Sequence, residues 1–249
     1  MGAMNIFLGE LVGTFLLILL GVGVTANVLL NRSKGQGSGW IVITWGWGFA
    51  VAVGVYVAGW ASGGHLNPAV TIALTLCGKS PFWAMPFYFL GQVIGGLLGA
   101  FAAWLAYYPH WVATPDGETK LKCFATKPAI RRLGWNFVTE FIGTAVLIIG
   151  ILGIFNAHNA IASGMGPYAV GILIVAIGMS LGGPTGYAIN PVRDLCPRII
   201  HAIVPMRAKG SSDWGYAWVP IVGPILGGVA GAYVYEKLIE PLRMLGDFH

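Results

Sequence analysis

Apolar residues in this chain come in long unbroken runs, not in the alternation of a half-buried strand or the one-sided stripe of a soluble helix. Runs of about twenty residues, the length that crosses a hydrocarbon core, lie near 5–30, 40–61, 82–107, 135–156, 167–182 and 215–238. Two further apolar stretches, near 67–78 and 190–203, are too short to cross. Each follows a loop of small residues and opens on Asn-Pro: Ser62-Gly63-Gly64-His65-Leu66-Asn67-Pro68-Ala69-Val70 and Gly182-Gly183-Pro184-Thr185-Gly186-Tyr187-Ala188-Ile189-Asn190-Pro191-Val192-Arg193-Asp194. Asn is a favoured N-cap and Pro a favoured first helical residue, so each loop delivers a helix N-terminus. The pattern predicts an all-α membrane protein, one domain over 1–249, with six transmembrane helices and two half-helices.

The polar stretch 108–134, with Pro109, Pro115, Asp116, Gly117 and a basic cluster, is read as a loop that links two repeats of approximately 5–107 and 135–240. Glu10-Leu11-Val12-Gly13-Thr14 returns as Glu140-Phe141-Ile142-Gly143-Thr144, Asn67-Pro68 as Asn190-Pro191, and Gly91-Gln92-Val93-Ile94-Gly95-Gly96 as Gly223-Pro224-Ile225-Leu226-Gly227-Gly228. With three crossings in each half, the second enters the membrane from the opposite side. Such inverted 3+3 repeats place their site at the midplane, between the discontinuous helices. Non-helical backbone at that depth is tolerated where it lines a wet cavity, so the loops before Asn67 and Asn190 are expected to present carbonyls to a pore. Two half-helices meeting N-terminus to N-terminus each carry about half a positive charge. They repel cations, while the Asn amides donate to a neutral oxygen-bearing molecule.

Composition agrees: 56% of the 249 residues are hydrophobic and 9% charged, and the mean hydropathy is +0.75. The net charge of +5 is too small and dispersed to imply nucleic acid as a partner, and Cys77, Cys123 and Cys196 lack the number and spacing of a disulfide framework or a zinc site. No grouping of nucleophile, base and orienter suggests an enzyme, and no metal or cofactor is expected. The first apolar run lacks a basic flank and is long enough to span, so it is not read as a cleaved signal.

The paired Asn67-Pro68-Ala69 and Asn190-Pro191-Val192-Arg193-Asp194, with buried Glu10 and Glu140 and the matching glycines, resemble the major intrinsic protein family of aquaporins and glycerol facilitators. Asp194 after Arg193, and Val219-Pro220-Ile221 in the last span, look like the glycerol-facilitator branch. The resemblance implies an aquaporin-like fold and a passive channel for glycerol, other small uncharged solutes and water, excluding ions and protons. It implies a selectivity filter at Trp47, Gly178, Tyr187 and Arg193, with the filter widened because Gly178 stands where water channels carry His. Trp47 and Tyr187 then offer an apolar corner and Arg193 a set of fixed donors, matching an amphipathic polyol. Two departures bear on the size limit: Val192 is expected to add bulk where the half-helices abut, and Tyr187 carries a hydroxyl where the branch commonly has Phe. A homotetramer with both termini cytoplasmic is also implied; the compact termini and the absence of long targeting extensions lead to the expectation of a bacterial inner membrane.

Competing readings attach to several of these residues. Glu10 and Glu140 are read as acceptors for loop N–H groups, the alternative being a proton relay in a proton-coupled transporter. His65 is read as a loop residue anchored to a carbonyl, the alternative being a pH sensor. Arg193 is either a filter donor or a structural partner of Asp194. Without the resemblance, Trp47 would be read as belt or packing. The ridges Gly91, Gly95, Gly99 and Gly223, Gly227, Gly231 read as close helix packing, compatible with tetramer contacts. A broader channel, passing dihydroxyacetone, urea or protonated lactic acid, is the nearest alternative function. The charges run against the implied orientation: Arg32, Lys34, Lys120, Lys122, Lys127, Arg131, Arg132, Arg198, Arg207 and Lys209 fall outside, against Lys79, Lys237 and Arg243 inside. A basic outer mouth that concentrates small organic anions through Lys120, Lys122 and Lys127 is one expectation drawn from that distribution.

Overall fold

The computed structural model describes residues 1–242, so Arg243, counted above among the inner charges, lies outside the described residues. Ten α-helices follow in order: α1 (Ala3–Leu29), α2 (Trp40–Ser62), α3 (Pro68–Leu76), α4 (Met85–Ala106), α5 (Tyr108–Ala113), α6 (Gly117–Phe124), α7 (Leu133–Ile154), α8 (Met165–Leu181), α9 (Pro191–Ile203) and α10 (Val219–Val234), the last continued by a π-turn over Tyr235–Ile239. No strand occurs among the described residues. Among the described residues, five helical spans are long and apolar enough to cross a membrane: α1, α2, the stretch containing α4, α7 and the stretch containing α10. The remaining apolar span, α8, has 17 residues, a rise of about 26 Å.

The glycine ridges decide how the spans pack. A Cβ at Gly91, Gly95 or Gly99 of α4 would run into the carbonyl oxygens of Phe7, Leu11 and Phe15 of α1. Gly227 and Gly231 of α10 face the Phe141 and Ala145 carbonyls of α7 in the same way. Both ridges are therefore used up inside the protomer, which removes them as candidate contacts between subunits. Repeat-related Gly48 of α2 and Gly171 of α8 touch across the pseudo-twofold axis, each Cβ position lying 2.7–2.8 Å from the other's carbonyl oxygen.

The two half-helices start as their sequences require. Asn67 and Asn190 are extended, at φ −159° and −157°, with Pro at the first helical position of α3 and α9. Each is then seated against the opposite half, α3 packing on α10 and α9 on α4. At nine residues α3 rises about 14 Å, half of a hydrocarbon core.

The stretch 108–134 is not the plain loop expected from its polarity, since it contains α5 and α6. Pro109 falls in the first turn of α5, where a missing N–H costs nothing. Asp116 caps α6, accepting from the Glu118 and Thr119 N–H groups at 3.2 and 3.0 Å.

Candidate functional site

A cavity of about 460 Å³ runs between the two halves. Trp47, Tyr187 and Arg193 line it, as do Lys79, Phe155, Asn156, His158 and Glu240. The two loops, Gly63–Asn67 and Tyr187–Asn190, add backbone and side-chain polar groups, and most of the remaining lining is aliphatic, including Leu17, Val51, Val70, Leu147 and Ile174.

The loops are held in unusual backbone. Leu66, Tyr187 and Ile189 have φ of +51°, +38° and +43°, a region that L-residues adopt at a cost of about 1–3 kcal/mol each unless the surroundings impose it. Two buried carboxylates supply much of that constraint. Glu10 Oε1 accepts from Ser62 Oγ at 2.7 Å and the His65 N–H at 2.9 Å, and Oε2 from the Leu66 N–H at 2.7 Å and Gln92 Nε2 at 2.8 Å. Glu140 accepts from the Ala188 and Ile189 N–H groups at 3.0 and 2.8 Å. Both carboxylates are at most 1% exposed, with both oxygens occupied by donors from the pore loops.

The Asn pair is cross-linked through the same strained residues. Asn67 Nδ2 donates to the Ile189 carbonyl at 2.8 Å, and Asn190 Nδ2 to the Leu66 carbonyl at 2.9 Å. Their oxygens cap α3 and α9, accepting from Ala69 N–H at 2.9 Å and from Val192 N–H at 3.0 Å. With the oxygen committed to the helix, each amide has one N–H bound across the axis and a second N–H remaining. Both Asn residues border the cavity.

In the cavity wall the Arg193 guanidinium lies 3.8 Å from the centre of the Trp47 ring, a cation–π contact. Trp47 is 3% exposed, so it does not face lipid. Its indole donates to Thr25 Oγ1 at 3.0 Å, and its ring fills the space where any side chain at Gly21 would sit. The ion-pair partner of Asp194 is not Arg193 but Arg198, one helical turn on, at 2.8 Å. Asp194 also accepts from Thr126 N–H and Oγ1 at 2.7 and 2.6 Å, and Arg198 from within the protein binds the Ser212, Asp213 and Thr126 carbonyls. Asp194 and Arg198 together thus tie the segments around Thr126 and around Ser212 and Asp213 to α9.

Three expectations change. Gly178 does not border the cavity; a Cβ there would lie 2.7 Å from Tyr187 Cζ, so the Tyr187 ring occupies the room that glycine leaves. Val192 is turned away from the cavity towards α4, where its Cγ1 is 2.7 Å from the Cβ position of Gly96. His65 is held by its ring, stacked on Tyr88 at 4.1 Å with Nδ1 3.2 Å from Thr71 Oγ1, and by its backbone N–H on Glu10, rather than by a carbonyl.

The basic outer mouth is also largely spent. Lys120 is buried and donates to the Arg207 carbonyl. Lys122 and Lys127 both pair with Glu118, at 2.7 and 2.6 Å, and these bonds hold its carboxyl below the usual range. Sequence reasoning missed Thr25, Gln92, Thr126 and Arg198; for Arg198 the available signal was its i,i+4 spacing from Asp194.

The family described as "Major intrinsic protein" matches residues 1–235. The chain is 54% identical over 235 residues to a probable glycerol uptake facilitator protein of Thermotoga maritima, covering 94% of this chain and all of that one. It is 53% identical over 237 residues to the glycerol uptake facilitator protein of Bacillus subtilis, covering 95% and 86%. Human Aquaporin-9 is 38% identical over 246 residues, covering 94% and 82%. In three dimensions the chain superposes on the X-ray structure of the aquaglyceroporin from Plasmodium falciparum with a TM-score of 0.88 at 33% identity, covering 98% of this chain and all of the other.

Proposed function

The chain belongs to the major intrinsic protein family, and on that premise we propose that it is a passive channel for glycerol, other small uncharged solutes and water. The observation that carries this reading is the crosswise pair Asn67 and Asn190, which places two unspent amide N–H groups and two half-helix N-termini beside one cavity. A hydroxyl oxygen arriving there meets donors, whereas a cation meets the positive ends of both half-helices. Arg193, whose guanidinium stacks on Trp47 and pairs with no carboxylate among the described residues, is the donor to solute oxygens, and the end it forms with Trp47 and Tyr187 is, on this reading, the narrow one. Trp47 and Tyr187 take the carbon chain. Gly178 belongs to this filter as the residue that leaves room for Tyr187, and Asp194 as the residue that fixes the outer loops.

A proton-coupled transporter would need a carboxylate free to exchange protons with the path. The commitment of Glu10 and Glu140 to loop donors favours the passive channel over it. The cavity volume leaves the broader solute range, including dihydroxyacetone, urea and protonated lactic acid, as the second reading within the class.

We further propose a homotetramer in a bacterial cytoplasmic membrane with both termini inside; the genera of the similar facilitators support the location. Size measurement in detergent of known mass checks the assembly. Stopped-flow light scattering of proteoliposomes tests the function, under a glycerol gradient and, separately, an impermeant-sugar gradient. Fast re-swelling in glycerol, reduced in Arg193→Ala and Gly178→His, is expected. Fast water loss with no glycerol entry would make the protein a water channel.

A further inference from the structure

Tyr187 borders the cavity, yet its position is not fixed by its own polar group. Its hydroxyl is buried and makes no hydrogen bond to any described residue, and its backbone sits at φ +38°. The ring must therefore be held by what it touches. Gly178 lies behind it: the Tyr187 ring and Thr44 Cγ2 both come within 3.0 Å of the place where a Cβ at 178 would stand. Beside them stands Trp40, the first residue of α2, whose ring meets Tyr187 edge-on at 5.7 Å and 79°. The Trp40 indole N–H donates to the Gly178 carbonyl at 3.0 Å, and its Cζ2 lies 2.8 Å from the Cβ position of Gly182. An aromatic ring pinned by a hydrogen bond at one edge and by a glycine at another has little freedom to withdraw.

We infer that Trp40 is a specificity-determining positioning residue: anchored on the Gly178 carbonyl, it is the backstop that keeps the Tyr187 ring at the narrow end of the cavity and so sets the largest solute admitted. Trp40 itself does not border the cavity and acts through Tyr187. This rests on the channel reading above. Glycine at 178 and 182 creates the space, and Trp40 limits how much of it Tyr187 can use. Removing the indole opens room behind Tyr187, and the ring moves back from the path.

The test compares wild type, Trp40→Leu, Trp40→Phe, Tyr187→Ala and the Trp40→Leu/Tyr187→Ala double variant in proteoliposomes, reading permeability to water, glycerol and the four-carbon polyol erythritol. In Trp40→Leu the erythritol-to-glycerol ratio should rise roughly three- to tenfold, with water flux within about twofold of wild type. Trp40→Phe, which keeps an aromatic edge but loses the N–H, should fall between. In the Tyr187→Ala background, Trp40→Leu should change the ratio no further. A wild-type ratio in both Trp40 variants, or an equal rise with Tyr187 absent, would overturn the inference. Wild-type liposomes closed to glycerol would instead refute the channel reading; the brace is then judged by whether Trp40→Leu alone admits glycerol, and fails if it does not.

Discussion

Glu140→Gln removes one acceptor from a carboxylate that has no solvent to fall back on. In the native protein its two oxygens take the Ala188 and Ile189 N–H groups. The amide can keep one of these bonds but must turn its own N–H₂ towards the other. One backbone N–H is then buried without a partner, at a cost of about 1–3 kcal/mol, and the surviving bond loses its charge assistance, about 1 kcal/mol more. The total, about 2–4 kcal/mol, is comparable to the strain held in Tyr187 and Ile189, so the loop relaxes. Glu10→Gln should cost at least as much, because four donors depend on its two oxygens, and a flip of Gln92 to meet the new N–H₂ would forfeit the Gln92 Nε2 bond to Thr71 Oγ1. Thermal unfolding in detergent should therefore fall in both variants, at least as far in Glu10→Gln, and glycerol permeability should drop in both without acquiring or losing dependence on a proton gradient. Native stability combined with loss of a proton-gradient response in either variant would refute this reasoning and restore the relay reading.

Three further outcomes follow from the contacts. Gly96→Ala places a Cβ 2.7 Å from Val192 Cγ1 and 3.0 Å from Cys196 Cβ; destabilisation of about 1–3 kcal/mol is expected, with Val192→Ala recovering a substantial part in a double-mutant cycle, and strict additivity would show that α9 is not seated through Val192. Asp194→Asn leaves the fully buried Arg198 without its counter-charge and should cost about 3–5 kcal/mol; a loss under about 1 kcal/mol would mean that the Ser212, Asp213 and Thr126 carbonyls suffice to hold it. The Glu118 carboxyl is lowered by Lys122 and Lys127, so its tether acts fully above the unfolded value of about 4.3 and is lost as pH falls through the lower folded value; protection from hydrogen exchange in the segment 117–127, taken relative to the intrinsic rate at each pH, should fall over that acid range in the native protein, and Glu118→Gln should show the reduced protection already at neutral pH.

What the sequence disclosed, it disclosed through strong local physics. Unbroken apolar runs have one stable use in a chain of this kind, and Asn-Pro is a helix start wherever it occurs, so α1, α2, α3, α7 and α9 were readable to within a few residues. α5 and α6 were not, because Pro109 and Pro115 read as breakers while the cap at Asp116 went unweighed. The side-chain geometry around the cavity lay further from reach. That Tyr187 fills the room left by Gly178, that Val192 faces Gly96, and that Lys120 bonds a carbonyl all depend on contacts between residues distant in sequence. Trp40 shares its type with Trp45, Trp47 and Trp60, and nothing in the local pattern separates the one beside Tyr187 from the others.

Seating each half-helix on the opposite half has a consequence for biogenesis. α3 rests on α10, through Gly228 against Ala69, and α9 rests on α4, through Gly96 against Val192. The first pore loop is therefore made early in synthesis, with α4 of its own repeat as a first support through the Gln92–Thr71 bond. Asn67 gains the Ile189 carbonyl only once the second loop is made, and α3 gains its seat on α10 only when residues near 228 have entered the membrane. The lumen is thus completed late, and a chain interrupted after the first repeat is left with a half-helix lacking its main seat rather than half a pore.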